Sequence, residues 1–209
     1  MKKLNLPNKL SVMRLLLVPI IMLVLYFIPS ELWIVRNALG AALFLGTAIT
    51  DAFDGKIARK YNLITDFGKF IDPLADKFLV IFTMLMILYM PDFRAIAPYF
   101  VWVFAIVVMR ELAVTALRLV VSKGGVVLAA DMLGKVKTVF QMVFIMTALL
   151  EPVLYYVINL IIPLPADINL FLAQYPVLTL ATMACALVFT VVSGINYFKK
   201  CAAYLDPEK

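Results

Sequence analysis

Long apolar runs alternate with short polar links along the whole chain, and six of the runs are long enough to be membrane-crossing helices. They fall at about 11–29, 33–53, 70–90, 96–120, 133–162 and 173–198. A hydrocarbon core about 30 Å thick needs about 20 helical residues, and each run supplies them. The fifth run contains Glu151-Pro152. That pair predicts a helix end near Leu150, with a short outer segment after it. The most polar interior stretch, 51–69, joins the second run to the third. Ser11, at the start of the first run, is a candidate helix cap.

Composition agrees with this pattern. Of 209 residues, 65% are hydrophobic and 15% charged, and the mean hydropathy is +1.01. Soluble domains are about 45–50% apolar and about 25% charged. The expectation is an all-α integral membrane protein, one domain over residues 1–209. The net charge is +6, from 19 Lys and Arg against 13 Asp and Glu. In such a chain, positive charge marks topology and attraction to anionic groups, so no nucleic-acid partner is expected. With the N-terminus inside, every Lys and Arg except Arg36 and Arg94 falls on the inner side. This predicts a multi-pass protein of the cytoplasmic membrane with both termini inside. Lys2, Lys3 and Lys9 precede the first run as in a secretory leader. Arg14 interrupts that run, however, and no small-residue cleavage pattern follows, so an uncleaved helix is expected. There is no His, which excludes imidazole catalysis and His metal sites. Cys185 and Cys201 make neither a disulfide framework nor a zinc site.

Four aspartates lie where runs meet the inner links: Asp51 and Asp54, then Asp72 and Asp76. Spacings of three and four residues put each pair on one helix face. Antiparallel neighbours would aim both pairs at one spot. Four clustered carboxylates repel one another at the edge of a low-dielectric region. A hard divalent cation relieves that repulsion, and an all-oxygen donor set suits Mg²⁺, Mn²⁺ or Ca²⁺. Gly55, Ala58 and Gly68 leave room for a ligand near the backbone. Arg59 and Lys60 add positive charge. Acids, bases and small residues together suggest a metal-bound phosphate ester.

The stretch reads Asp51-x-x-Asp54-Gly55-x-x-Ala58-Arg59, eight residues, then Gly68-x-x-x-Asp72-x-x-x-Asp76. It resembles the signature of the CDP-alcohol phosphotransferase family at every defining position. The resemblance implies six transmembrane helices, a homodimer, an active site at the cytoplasmic face and two ions, Mg²⁺ or Mn²⁺. It implies that Asp51, Asp54 and Asp72 hold one ion and Asp51, Asp72 and Asp76 the other. Asp76 is the implied general base. Gly55, Ala58, Arg59 and Gly68 shape the CDP-lipid pocket with Asp54 and Asn8. The start, Asn5-Leu6-Pro7-Asn8-Lys9-Leu10-Ser11-x-x-Arg14, is similar to the phosphatidylglycerophosphate-forming bacterial branch of that family. So are Arg110-Glu111 with Arg118, and Gly134-Lys135-x-Lys137-Thr138. That branch implies CDP-diacylglycerol as lipid donor and glycerol 3-phosphate as acceptor.

The basic residues support this choice. Arg110 and Arg118 are two turns apart on similar faces of one helix, and Lys135 and Lys137 start the next. An acceptor that carries its own phosphate needs such a cluster. Glu111 is expected to pair with a nearby arginine rather than to act in chemistry. Other acceptors within the family, namely inositol phosphate, serine or phosphatidylglycerol, are the alternative. A divalent-cation transporter is the alternative from another class, but it would place its acids near mid-membrane.

Overall fold

The structure is a computed structural model. It describes residues 5–60, 65–123, 132–163 and 165–202, with backbone alone for Leu6, Pro7, 51–60, Asp66, Lys69, Lys123 and Ala173. Among these residues all regular structure is helical: α1 (Leu6–Phe27), α2 (Trp33–Lys60), α3 (Asp66–Tyr89), α4 (Ala97–Lys123), α5 (Met132–Ile161), α6 (Ala166–Gln174) and α7 (Val177–Ala202). Short 3-10 turns at Ser30–Leu32 and Pro91–Phe93 precede α2 and follow α3.

Five segments of the described chain are long and apolar enough to cross a membrane: Asn8–Phe27, Ser30–Thr50, Ala97–Ser122, Met132–Ile161 and Ala166–Ala202. The third run, 70–90, corresponds to α3. At 24 residues it is long enough, but its first half carries Asp72, Asp76 and Lys77. Large apolar side chains such as Leu16, Phe27, Trp102, Met109, Leu112 and Leu160 are exposed on the helix exteriors. Surfaces of that kind belong in hydrocarbon.

Side-chain links fix the helix directions. α1 runs parallel to α3: Ser11 and Arg14 meet Asp72 and Asp76 at one end, and Tyr26 stacks on Tyr89 at the other, with ring centres 5.5 Å apart. α2 returns against α1 so closely that a Cβ at Gly40 would stand 2.6 Å from Leu25 Cδ2. α5 and α7 are antiparallel, joined by Gln141 Nε2 to Thr190 Oγ1 at 3.1 Å and by the hydroxyls of Thr147 and Thr182 at 2.7 Å. α4 runs parallel to α7. The apolar core between them includes Ile21, Phe44, Leu79, Met84, Ile87, Val107 and Ala186, with Phe100 edge-on to Phe144. Consequently the start of α1, the starts of α3 and α5 and the ends of α4 and α7 share one end of the molecule.

Two expectations need correction. α5 does not stop near Leu150 but continues through Pro152 to Ile161. A proline costs a helix one backbone hydrogen bond. Here Gln141, Thr147 and Glu151 bond to α7 up to the proline, and packing of this kind carries a helix through the break. Glu151, beside the proline, is buried and receives the backbone N–H groups of Leu178 at 2.8 Å and Thr179 at 2.6 Å. It therefore caps α7 from the side. Ser11 does not cap α1 either. The helix begins at Leu6 after extended Asn5, with a proline in its first turn, and Ser11 lies inside it.

Candidate active site

The facing ends of α1 and α3 form three rungs. Asn8 Oδ1 accepts from Thr65 Oγ1 at 2.9 Å, Ser11 Oγ donates to Asp72 Oδ1, and Arg14 Nη1 lies 2.9 Å from Asp76 Oδ1. Positions 8, 11 and 14 share one face of α1, just as 68, 72 and 76 share one face of α3. Thr65 caps α3 by accepting from the Gly68 N–H at 3.1 Å. A Cβ at Gly68 would stand 3.0 Å from Asn8 Oδ1 and 3.3 Å from Thr65 Oγ1. The glycine is what lets α1 approach α3 here. Asn8 is thus a buried wall of the site whose side-chain oxygen already has a partner.

Asp51, Asp54, Gly55, Ala58 and Arg59 lie on the last turns of α2. Their side chains are outside the described residues, so the meeting of four carboxylates lies outside them too. Among the described residues no group of three or more Cys, Asp or Glu side chains could hold a metal ion.

A cavity of about 880 Å³ opens beside Asp76, between α3, α4, α5 and α7. Asp76 and Lys77 face it from α3, Arg110 and Arg118 from α4, and Lys135 and Lys137 from α5. The structure therefore joins the basic cluster to the acid that the sequence keeps far from it. Arg110 Nη2 donates to Ser193 Oγ at 3.1 Å and its Nη1 to Glu111 Oε1 at 3.1 Å. Arg118 Nε reaches the Tyr197 hydroxyl at 3.4 Å, with its guanidinium 5.9 Å from that ring's centre. Lys135 is exposed, whereas Lys137 is buried and bonded to Glu111. Glu111 thus pairs with Arg110, as its neighbour in sequence suggested, and with Lys137 besides. The rest of the lining is largely apolar and includes Phe70, Leu74, Leu119, Val139 and Met142. A chamber with one charged wall and one apolar wall suits a ligand that is part phosphate and part lipid.

Sequence reasoning missed several members. Lys77 lines the cavity and donates to Thr115. Its position directly after Asp76 was the available signal. Ser193 and Tyr197, one turn apart on α7, carry no charge to mark them. A second cavity of about 440 Å³ lies near Trp33, Asp92, Tyr155, Tyr156 and Asn159. None of the candidate residues lines it.

Comparison with known proteins agrees with these features. The family profile described as CDP-alcohol phosphatidyltransferase matches residues 4–192. The CDP-diacylglycerol–glycerol-3-phosphate 3-phosphatidyltransferase of Bacillus subtilis (strain 168) is 40% identical over 204 residues, 94% of each chain. The protein of the same name from Rickettsia bellii is 36% identical over 200 residues, 96% of this chain and 97% of its own. With a profile match over most of its length and relatives aligned nearly end to end, the chain belongs to the CDP-alcohol phosphatidyltransferase family.

Proposed function

We propose that the protein transfers the phosphatidyl group of CDP-diacylglycerol to the primary hydroxyl of glycerol 3-phosphate, giving phosphatidylglycerophosphate and CMP. One observation carries the reading: a single cavity holds Asp76 together with Arg110, Arg118 and Lys135. The names of the relatives state the same activity for those proteins.

A carboxylate on one wall and cations on the other can hold an acceptor by its phosphate and leave its hydroxyl beside a base. The two guanidiniums offer paired donors to phosphate oxygens, and Lys135 adds a point charge. Asp76 takes the hydroxyl proton. The acceptor oxygen then bonds to the phosphorus that bears diacylglycerol. The bond from that phosphorus to CMP breaks, and its electron pair leaves with CMP. Arg14 holds Asp76 Oδ1 and so fixes the direction of the base. The apolar wall lets the donor's chains stay in lipid.

Asp51, Asp54, Asp72 and Asp76 are the residues that would hold two divalent ions, Mg²⁺ or Mn²⁺. The described half of the set fits such ions. Asp72 and Asp76 share one face of α3, and a Cβ at position 68 would stand 3.9 Å from Asp72 Oδ2. Oxygen-only donors suit a hard cation. When bound, the ions would neutralise the diphosphate and stabilise charge on the leaving CMP. Gly55, Ala58, Arg59, Gly68 and Asn8 would form the CDP side of the pocket.

The protein is a single domain that spans the cytoplasmic membrane six times, α3 being the third span. Its termini and active site face the cytoplasm, and it works as a homodimer, as the family resemblance implies. The placement is supported by Arg14, Lys77, Arg110, Arg118, Lys135 and Lys137 at the site end and Arg36 at the other. The test offers glycerol 3-phosphate, serine, inositol phosphate and phosphatidylglycerol separately to the purified protein with CDP-diacylglycerol and Mg²⁺ or Mn²⁺. CMP release and product mass identify the acceptor. Turnover with glycerol 3-phosphate alone is expected, reduced about 100-fold or more in Asp76→Asn. Turnover with a different acceptor contradicts the reading.

A further inference from the structure

Glu111 is an acid in a wall of cations. It is 7% exposed and lies beside the cavity with Lys77, Arg110, Arg118 and Lys137 around it. Its Oε1 receives both Arg110 Nη1, at 3.1 Å from within α4, and Lys137 Nζ from α5. Its backbone carbonyl receives the Thr115 hydroxyl at 2.6 Å, and that hydroxyl receives Lys77 Nζ from α3. One residue therefore ties three helices of the pocket together. The other end of the Arg110 fork is held by Ser193 on α7.

A negative charge in a pocket for an anion is unfavourable by Coulomb's law alone. Removing it should then strengthen anion binding. It earns its place only if it does something else for the cations. A guanidinium has five donors in a rigid plane. With one Nη on Glu111 and the other on Ser193, that plane is fixed rather than free to swing. We propose that Glu111 is the positioning residue of the acceptor site: it orients the Arg110 guanidinium toward the acceptor's phosphate, and Lys137 in turn holds Glu111. This rests on the reading that the cavity takes a phosphorylated acceptor.

Two explanations predict opposite signs. If Glu111 only neutralises buried Lys137, Glu111→Gln lowers or leaves unchanged the KM for glycerol 3-phosphate. In a Lys137→Met background, removing Glu111 then has no adverse effect. If Glu111 positions Arg110, the KM rises in both backgrounds. The experiment measures initial rates of CMP release for the full-length protein in detergent–lipid micelles. The variants are Glu111→Gln, Lys137→Met and the double variant. Expected is a rise of about tenfold in acceptor KM for Glu111→Gln, with the KM for CDP-diacylglycerol within about twofold of the unmodified protein. A further rise of about fivefold or more is expected on adding Glu111→Gln to Lys137→Met. Inorganic phosphate, as a competitor of the acceptor, should weaken in parallel. If Glu111→Gln does not fold, the charge-balanced double variant carries the comparison. An acceptor KM that falls or stays level on removing Glu111 overturns the proposal. The unmodified protein tests the functional reading separately. If it turns over another phosphorylated acceptor, that reading falls, and the same variants assayed with that acceptor still decide the role of Glu111.

Discussion

Arg14 of α1 and Asp76 of α3 form an ion pair at 2.9 Å in which the arginine is 1% exposed and the carboxylate 39% exposed. The buried partner is fixed and the open partner faces the cavity. That asymmetry suits a base that must meet substrate while its direction is set from behind. Arg14→Met should lower kcat by about 10–100-fold, the usual cost of losing a group that orients a reactive one. Circular dichroism should show unchanged helix content. Arg14→Lys should retain more activity, since it keeps the charge and loses only the planar fork. Equal kcat in Arg14→Met and the unmodified protein would show that Asp76 needs no such support.

Arg118 reaches the cavity from the last turns of α4 and rests against Tyr197. Arg118→Gln should raise the KM for glycerol 3-phosphate by about tenfold or more, equivalent to about 1.4 kcal/mol of lost binding. The KM for CDP-diacylglycerol should change little. Steady-state rates with each substrate varied in turn make the comparison.

Gly68 and Gly46 make a matched pair of tests. A Cβ at 68 would press on Asn8 and Thr65, which already hydrogen-bond each other, whereas a Cβ at 46 would meet nothing within 4 Å. Gly68→Ala should destabilise by about 1–3 kcal/mol through overpacking. Gly46→Ala, inside α2, should stabilise by about 0.5–1 kcal/mol, because alanine loses less backbone entropy in a helix. Unfolding temperatures in one detergent should move in opposite directions.

Glu151 offers a test far from the chemistry. Its carboxylate accepts two N–H groups at the start of α7 and the Tyr155 hydroxyl at 2.6 Å. Glu151→Ala leaves those donors without their acceptor and should cost about 1–3 kcal/mol or more of stability. Below its unfolding temperature the variant should keep its KM for both substrates. A changed acceptor KM would mean that the two ends of the molecule are coupled.

The apolar runs and the aspartate spacing were legible in the sequence because each depends on local periodicity. Helix length, the face shared by Asp72 and Asp76, and the basic character of α4 and the start of α5 follow from counting residues. What could not be read depends on packing between helices. Pro152 looked like a stop because its local cost is visible and the supporting α7 contacts are not. Ser11 looked like a cap because its partner, Asp72, is remote in sequence and becomes a neighbour only when α1 lies parallel to α3. In the sequence Lys137 groups with Lys135 in the acceptor-phosphate cluster and Lys77 is only an inner-side charge, yet Lys77 reaches Thr115 and Lys137 sits buried on Glu111. The joining of Asp76 to the basic cluster in one cavity likewise requires the fold.

The most direct test of the central claim follows the atom that makes the new bond. Glycerol 3-phosphate labelled with ¹⁸O at its primary hydroxyl is incubated with the protein, CDP-diacylglycerol and Mg²⁺. Mass spectrometry then locates the label. If the acceptor hydroxyl attacks the phosphorus that bears diacylglycerol, phosphatidylglycerophosphate carries the ¹⁸O and CMP carries none. Labelled glycerol 3-phosphate joined to CMP, with phosphatidic acid released, would mean attack at the other phosphorus, and unlabelled CMP and phosphatidic acid with no adduct would mean hydrolysis by water. Either result would contradict the account.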